Sequence, residues 1–365
     1  MIQQIPKKQL MDFWPFFEGN KMRNSLAFSL SLSHVKGFTD DLENPDVVMF
    51  LCQPGHVTCY LAGNSKAENL KEFLEKIPEK AWISIPSQEW ELSLKTQWTY
   101  FGYSPRTELS AKNLSLQSIK RLLISLPEGF QMKRVDIEVA KQVLSQNFSD
   151  HFVWAINYFG SPERFVEEGV GFCIQEGEKI VCIAMGYTTS VPITQSCEID
   201  IATHTDYRGR GFATLASAKV IEYFLEKGIE PHWDAANPLS VKLAEKLGYT
   251  DPEPHKFYYW LKSPWTISKL KEAFDPQFEK GLENVSSVKS EIGSVMSKGL
   301  TKKGKKSLLS RLTGTRGIFE LILTEINRVL ETKIVAESDI PQFKEYGEKV
   351  KQQLDTLDQL KNDHF

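Results

Sequence analysis

At 365 residues the chain exceeds one ordinary domain, and two or three are expected. With 41% apolar and 25% charged residues it can bury several cores, which excludes wholesale disorder. Its formal charge of −3 lacks the basic excess of a duplex-binding protein, so nucleic acid is not an expected partner.

The five cysteines (Cys52, Cys59, Cys173, Cys182, Cys197) sit mostly inside apolar runs such as Val181-Cys182-Ile183, and there is no CxxC pair. That pattern supports neither a zinc site nor a disulfide framework. Lys7 and Lys8 are not followed by an apolar run before Asp12, so no secretory signal is expected. No stretch approaches the ~18 apolar residues of a membrane span. A reducing, cytoplasmic setting is the expectation.

In chain order, residues 47–61 read as two strands, Val47–Cys52 and His56–Leu61, turning at Pro54-Gly55. A helix Glu68–Ile77, a strand Ala81–Ile85, a helix Gln88–Gln97 and a strand Thr99–Tyr103 follow. This is an α/β unit without a glycine-rich phosphate loop. A second α/β unit starts near Leu126, with strand Gly129–Val135 and helix Ile137–Gln146. Gly171–Gln175 and Lys179–Thr188 form a hairpin across Glu176-Gly177-Glu178, and Glu198–Thr203 is the next strand. The helix Gly211–Lys227 carries Leu215, Ala218, Ile221 and Leu225 at helical spacing and stops at Gly228. Strand His232–Ala235, helix Leu239–Leu247 and strand Phe257–Leu261 close the unit. From about Ser263 three amphipathic stripes follow: residues 278–300 (Phe278, Leu282, Val285, Val288, Ile292, Val295), residues 318–334 (Phe319, Ile322, Ile326, Val329), and Phe343 to Leu357. They predict an all-α C-terminal module.

The chemistry is concentrated in Cys197–Tyr249. The loop Tyr207-Arg208-Gly209-Arg210-Gly211-Phe212-Ala213 sits between a strand and a long helix. Two glycines admit close approach of an anion, and the helix start aims unpaired N–H groups and a positive dipole end at it. Arg208 and Arg210 add charge, which makes a cradle for a pyrophosphate. A dinucleotide fingerprint would need a glycine or alanine where Thr214 stands, and a Walker loop would need Gly-Lys-Ser/Thr.

Arg208-x-x-Gly211-x-Ala213 resembles the acetyl-coenzyme A signature of the GNAT superfamily. The resemblance continues through Trp233-Asp234-Ala235-Ala236-Asn237, Ser240 and Leu243-Ala244-Glu245-Lys246-Leu247-Gly248-Tyr249, and is similar to the branch related to zwittermicin A resistance acetyltransferases. It covers roughly residues 20–262, is specific from 197 to 249, and does not reach the helical tail. The fold it implies is α/β, an α+β GNAT fold with a degenerate N-terminal half (1–125), a catalytic half (126–262) and the helical module (263–365). It implies acetyl-coenzyme A as cofactor, with Ile201, Ala202 and Thr203 offering backbone groups to the pantetheine arm. Arg208, Gly209, Arg210, Gly211, Phe212 and Ala213 would hold the pyrophosphate, with Asn237 and Ser240 also reaching the cofactor.

An acceptor amine is protonated near neutral pH (pKa ~10.4) and must lose a proton before attacking a thioester. Glu198 is the first candidate base and Asp200 the second. Two residues apart on a strand, they share one face, opposite Ile199 and Ile201. The resemblance places a thiolate-protonating tyrosine where this chain has Ala244; Tyr249, Tyr258 and Tyr259 are the substitutes to consider. Asn237 before Pro238 also reads as a plain helix N-cap. Cys197 reads as a core cysteine, Trp233 as either a pocket wall or core, and Asp234 as either an amine contact or a structural carboxylate. Trp98, Tyr100 and Tyr103 are candidates to line the acceptor cleft, against a simpler core role.

The expected function is acetyl transfer to an amine of a small molecule, antibiotic-like or derived from an amino acid, by direct base-assisted attack. A non-catalytic acetyl-coenzyme A sensor and a peptide or protein N-acetyltransferase are the alternatives. The tail's apolar stripes would bury against one another or against a second subunit or protein partner. Its basic knot Lys302, Lys303, Lys305, Lys306 with Arg311 and Arg316 reads as a solvated interhelical loop, a nucleic-acid or acidic-partner patch being the alternative.

Overall fold

The computed structural model describes residues 2–53, 57–145, 150–188, 196–295 and 302–365. They form two compact units, Met1–Ala202 with Thr214–Lys262, and Thr203–Ala213 with Ser263–Phe365.

The first unit is built on a mixed sheet. Its strands in chain order are β1 (Gln3–Ile5), β2 (Val35–Thr39), β3 (Val47–Cys52), β4 (Thr58–Gly63), β5 (Trp82–Ser84) and β6 (Tyr100–Ser110). There follow β7 (Phe130–Arg134), β8 (Gly169–Glu176), β9 (Lys179–Thr188), β10 (Ser196–Thr203), β11 (Glu230–Ala235) and β12 (Thr250–Leu261). The helices are α1 (Arg23–Ser31), α2 (Leu70–Leu74), α3 (Gln88–Gln97), α4 (Leu116–Leu122), α5 (Ile137–Ser145), α6 (Asp150–Tyr158), α7 (Pro162–Glu168), α8 (Phe212–Glu226) and α9 (Pro238–Leu247). Sheet order among the described residues is β1-β2-β3-β4-β5-β12-β6-β11-β10-β9-β8-β7.

That order interleaves the two halves. β6 lies between β11 and β12, pairing Trp233↔Leu109 on one side and Leu261↔Tyr100 on the other. β12 in turn pairs with β5 at Tyr258↔Ile83. Both strands run further than their sequences suggest, because each crosses prolines that read as turns. Pro105 stands opposite Lys256 of β12 but lies beyond the β11 register, which covers Thr107–Leu109, so on the β11 side no hydrogen bond is asked of it. β12 accommodates Pro252 and Pro254 with a register shift between Thr250 and Glu253. The N-terminal elements β1, α1 and β2 have no counterpart in the sequence-based expectation. The Pro54-Gly55 turn falls outside the described residues.

Helices cover both faces of the sheet, α5, α6 and α7 packing on Cys173, Ile183 and Met185 and α2, α3, α8 and α9 on the other face. α2 and α3 bury Leu70, Phe73, Trp90 and Leu94 against Met49, Leu61, Ile83 and Tyr258. α8 and α9 bury Ala218, Ile221, Ala244 and Leu247 against Leu109, Trp233 and Ala235. All five cysteines are buried.

In the second unit, α10 (Ile267–Val295), α11 (Lys302–Glu331) and α12 (Ile340–His364) are the three helices of the tail. α10 starts eleven residues before Phe278, running through Pro276, which reads in sequence as a helix stop. Phe278, Val285, Val288, Phe319, Ile322, Ile326, Phe343 and Val350 are all buried. Phe278 is the hub, with ring centroids 5.6 Å from Phe319 and 5.5 Å from Tyr346. The stripes therefore bury against one another. Residues 296–300 of the expected first stripe lie outside the described residues.

Candidate active site

β10 and β11 are parallel, but their register covers only Ser196↔Glu230, Cys197↔Pro231 and Glu198↔His232. Beyond it β10 continues to Thr203, while β11 pairs with β6 along Trp233–Ala235. Among the described pairings, the two strands part at Glu198. The period-two alternation of each strand then sorts its side chains. Ile199 and Ile201 pack into the Trp233, Leu109 and Leu247 cluster under α8 and α9. Glu198 and Asp200 take the opposite face, where Tyr187 feels both charges and hydrogen-bonds Asp200.

His232 stands beside Glu198. Its Nδ1 is 2.9 Å from Glu198 Oε1, close enough for an ion pair though off the direction of a hydrogen bond. Its Nε2 is 3.0 Å from Glu108 Oε1, in hydrogen-bond geometry. Burial alone would push this imidazole down, but the Glu198 charge and the Glu108 contact outweigh it and raise it to about 10. Glu108 moves the other way: its bond with His232, opposed by burial and helped by Lys21, pulls it down to about 2. Lys21 Nζ completes the chain, 2.8 Å from Glu108 Oε2 and 2.6 Å from Glu253 Oε2. The arrangement is a row of alternating charges, Glu198–His232–Glu108–Lys21, across β10, β11 and β6. Buried charges of this kind persist only when each has a partner of opposite sign.

A second pairing lies further along β11. Asp234 holds Arg106 Nε at 2.5 Å and His255 Nε2 at 2.9 Å. Although burial opposes it, these partners hold the Asp234 carboxyl below its usual range. Asp234 is thus a structural carboxylate, its charge already matched from β6 and β12.

The remaining candidates divide by element. Asn237 caps α9, its Oδ1 accepting from Ser240 N at 3.0 Å. Ser240 Oγ accepts from Trp233 Nε1 at 3.1 Å, so Trp233 is held in the core. Ala202 packs partly buried against the Phe28 and Met185 cluster. Tyr249 donates to the Pro231 carbonyl at 2.8 Å and Tyr258 to Glu91 Oε2 at 2.8 Å, while Ala244 is fully buried on the core side of α9. Burial also pushes the Cys197 thiol far up, which removes it as a nucleophile. Trp98 stacks on Trp260 at 5.3 Å and Tyr103 meets Tyr258 edge-on at 6.3 Å, a core placement.

In the second unit, the loop that joins β10 to α8 is bent by Gly209 (φ 74°) and Gly211 (φ 83°), both in the left-handed region that only glycine enters freely. Arg208 Nε donates to the Thr203 carbonyl at 3.2 Å, and burial lowers its guanidinium. The Arg210 guanidinium lies 5.0 Å from the centre of the Tyr207 ring. Phe212, at the start of α8, is buried.

Glu108, His232 and Lys21 were not among the expected site residues. His232 was visible only as a strand neighbour. Glu108 lies beyond the strand Thr99–Tyr103 expected from the sequence, and Lys21 is joined to it only by the tertiary fold.

A mixed sheet that forks between parallel strands, followed by a glycine-bent loop and a long helix, defines an acetyltransferase-type α/β protein. The GNAT acetyltransferase family profile matches residues 18–258, and the chain belongs to that family. It is an acetyltransferase enzyme. It is 24% identical over 280 residues to the uncharacterized N-acetyltransferase YdfB of Bacillus subtilis, covering 71% of this chain and 98% of the relative. A solved GCN5-related N-acetyltransferase-like protein from Streptococcus suis superposes with a TM-score of 0.57 at 24% identity, covering 69% of this chain and 98% of that one. A tandem GNAT protein from the clavulanic acid biosynthesis pathway gives a TM-score of 0.50 at 10% identity, over 71% and 98% of the two chains. The family match ends before the tail begins. Among the described residues no helix is long and apolar enough to cross a membrane.

Proposed function

We propose that the chain transfers the acetyl group of acetyl-coenzyme A to the amine of a small molecule in a cytoplasmic setting. The observation that carries this reading is the parting of β10 and β11 at Glu198, with Glu198 set against His232, which Glu108 holds from its other side. The family generally uses acetyl-coenzyme A. Here the backbone of Ile201–Thr203 would meet the pantetheine arm, and Arg208–Ala213 with the first turn of α8 would meet the pyrophosphate. Asn237 and Ser240 would complete the cofactor side from α9. Residues 1–125 and 126–262 act as a supporting and a catalytic half within one interleaved sheet.

The reaction is direct. Glu198 takes a proton from the acceptor ammonium, with Asp200 as the second carboxylate on that face. The freed nitrogen attacks the thioester carbonyl and the C–N bond forms; the C–S bond then breaks, and the second N–H proton passes to the departing sulfur, which leaves as the coenzyme A thiol. A thiol with a pKa of ~8.5 leaves readily at neutral pH, so Ala244 in place of a tyrosine is tolerable. His232, held between two carboxylates, orients Glu198 and does not touch the substrate.

Calorimetric titration with acetyl-coenzyme A, followed by thiol release over an amine panel, tests the reading. Wild type should bind. Gly211→Glu, which sets a carboxylate where the pyrophosphate would lie, should bind more than about tenfold more weakly. Glu198→Gln should bind normally yet turn over about 10²–10⁴ times more slowly. No binding by the wild type would overturn the assignment.

A further inference from the structure

Residues 203–213 cluster with the tail helices. α11 makes the closest contact. Ser310 Oγ donates to the Arg208 carbonyl at 3.1 Å. One helical turn on, a Cβ added to Gly314 would stand 3.2 Å from Arg208 Cβ. A Cβ on Gly209 would come within 2.6 Å of the Ser310 carbonyl oxygen, so Gly209 is required by close approach as well as by its φ. Lys280 of α10 adds an ion pair to Asp206 at 3.1 Å; half-exposed, it marks the register more than it stabilises. The other glycine differs. A Cβ on Gly211 meets nothing within 4 Å. The loop is thus closed by α11 at Arg208 and Gly209 and has open space at Gly211, beside the start of α8.

We infer that the tail is a working part of the cofactor site: α11 backs the pyrophosphate loop, and Ser310 and Gly314 are positioning residues for it. The inference rests on the reading that this loop holds acetyl-coenzyme A. A loop bent by two left-handed glycines has many other conformations open to it, and ordering it on binding would cost affinity. α11 removes that cost by fixing Arg208 and Gly209 beforehand. It does so at Arg208 and Gly209 while leaving the space at Gly211 open, which is what a support requires and a plug does not. Coupling of this kind is reciprocal, so a bound cofactor must in turn stabilise the packing of α11 on the loop.

The test uses the full chain and acetyl-coenzyme A as the probe. Ser310→Ala should weaken binding about fivefold, the worth of one neutral hydrogen bond. Ser310→Thr, which keeps the hydroxyl, should bind like wild type. Gly314→Val should weaken it more than about tenfold by pushing α11 off Arg208. KM for the amine should stay unchanged in all three. Amide exchange in α11 of the wild type should slow when the cofactor is added. Variants that melt like wild type and bind the cofactor unchanged would overturn the inference while leaving the functional reading intact. Tighter binding would overturn it too, by making α11 a plug. If Gly314→Val does not fold, Ser310→Ala and the exchange data decide. Failure of the wild type to bind would remove both readings together.

Discussion

Between Glu198 and Glu108 the His232 ring is a cation over the whole neutral range, and its pH dependence follows. Its value in the fold is raised from 6.5 to about 10, so its contribution to stability is complete below 6.5 and is lost as pH rises through about 10. Glu108 is depressed from 4.5 to about 2, so its contribution is complete above 4.5 and is lost as pH falls through about 2. The bridge is therefore strongest between those two unfolded values, 4.5 and 6.5. We expect His232→Gln to lower the melting temperature most near pH 5–6, with the gap closing toward about pH 10. A gap independent of pH would mean that His232 is a neutral packing residue. The same charges bear on Glu198, the proposed base. An imidazolium beside Glu198 fixes its orientation, and the Lys21–Glu108 end of the row holds the imidazolium in turn.

At the level of single elements, α9 separates two roles that Asn237 can play at once. Its carbonyl oxygen caps the helix through Ser240 N, while its amide NH2 is the group that would reach the cofactor. Asn237→Asp keeps the capping oxygen and removes the donor, so stability should hold and acetyl-coenzyme A should bind several-fold more weakly. Asn237→Ala should also cost about 1 kcal/mol of stability. Equal cofactor binding by all three proteins would leave the cap as the whole role. The sequence made α3, the β8–β9 hairpin, α8 and α9 legible, because each has a clean period and a marked end such as Asn237-Pro238. β6 and β12 were only half legible. Prolines that end strands locally were overruled by partners on the far side of the chain. For the same reason Glu198 and Asp200 could be placed on one face from alternation alone, while Glu108 could not be brought to His232. Their meeting depends on a strand exchange that no local pattern encodes.

For the molecule as a whole, the loop Thr203–Ala213 lies inside the family match yet clusters with the tail helices. Two compact units predict two unfolding transitions, since cooperativity is a property of each packed core. Phe319→Ala, at a fully buried site against Phe278, should cost about 3–5 kcal/mol and move one transition while the other stays in place. A single transition shifting as one would show that the cores melt together. The exchanged strand has another consequence, which concerns synthesis. Glu108 and His232 are 124 residues apart in the chain. β6 therefore leaves the ribosome long before either of its neighbours has been translated, and must wait with both edges bare. A half-chain ending near residue 125 would carry that unpaired strand permanently and should aggregate, so the two halves cannot be made as separate folding pieces.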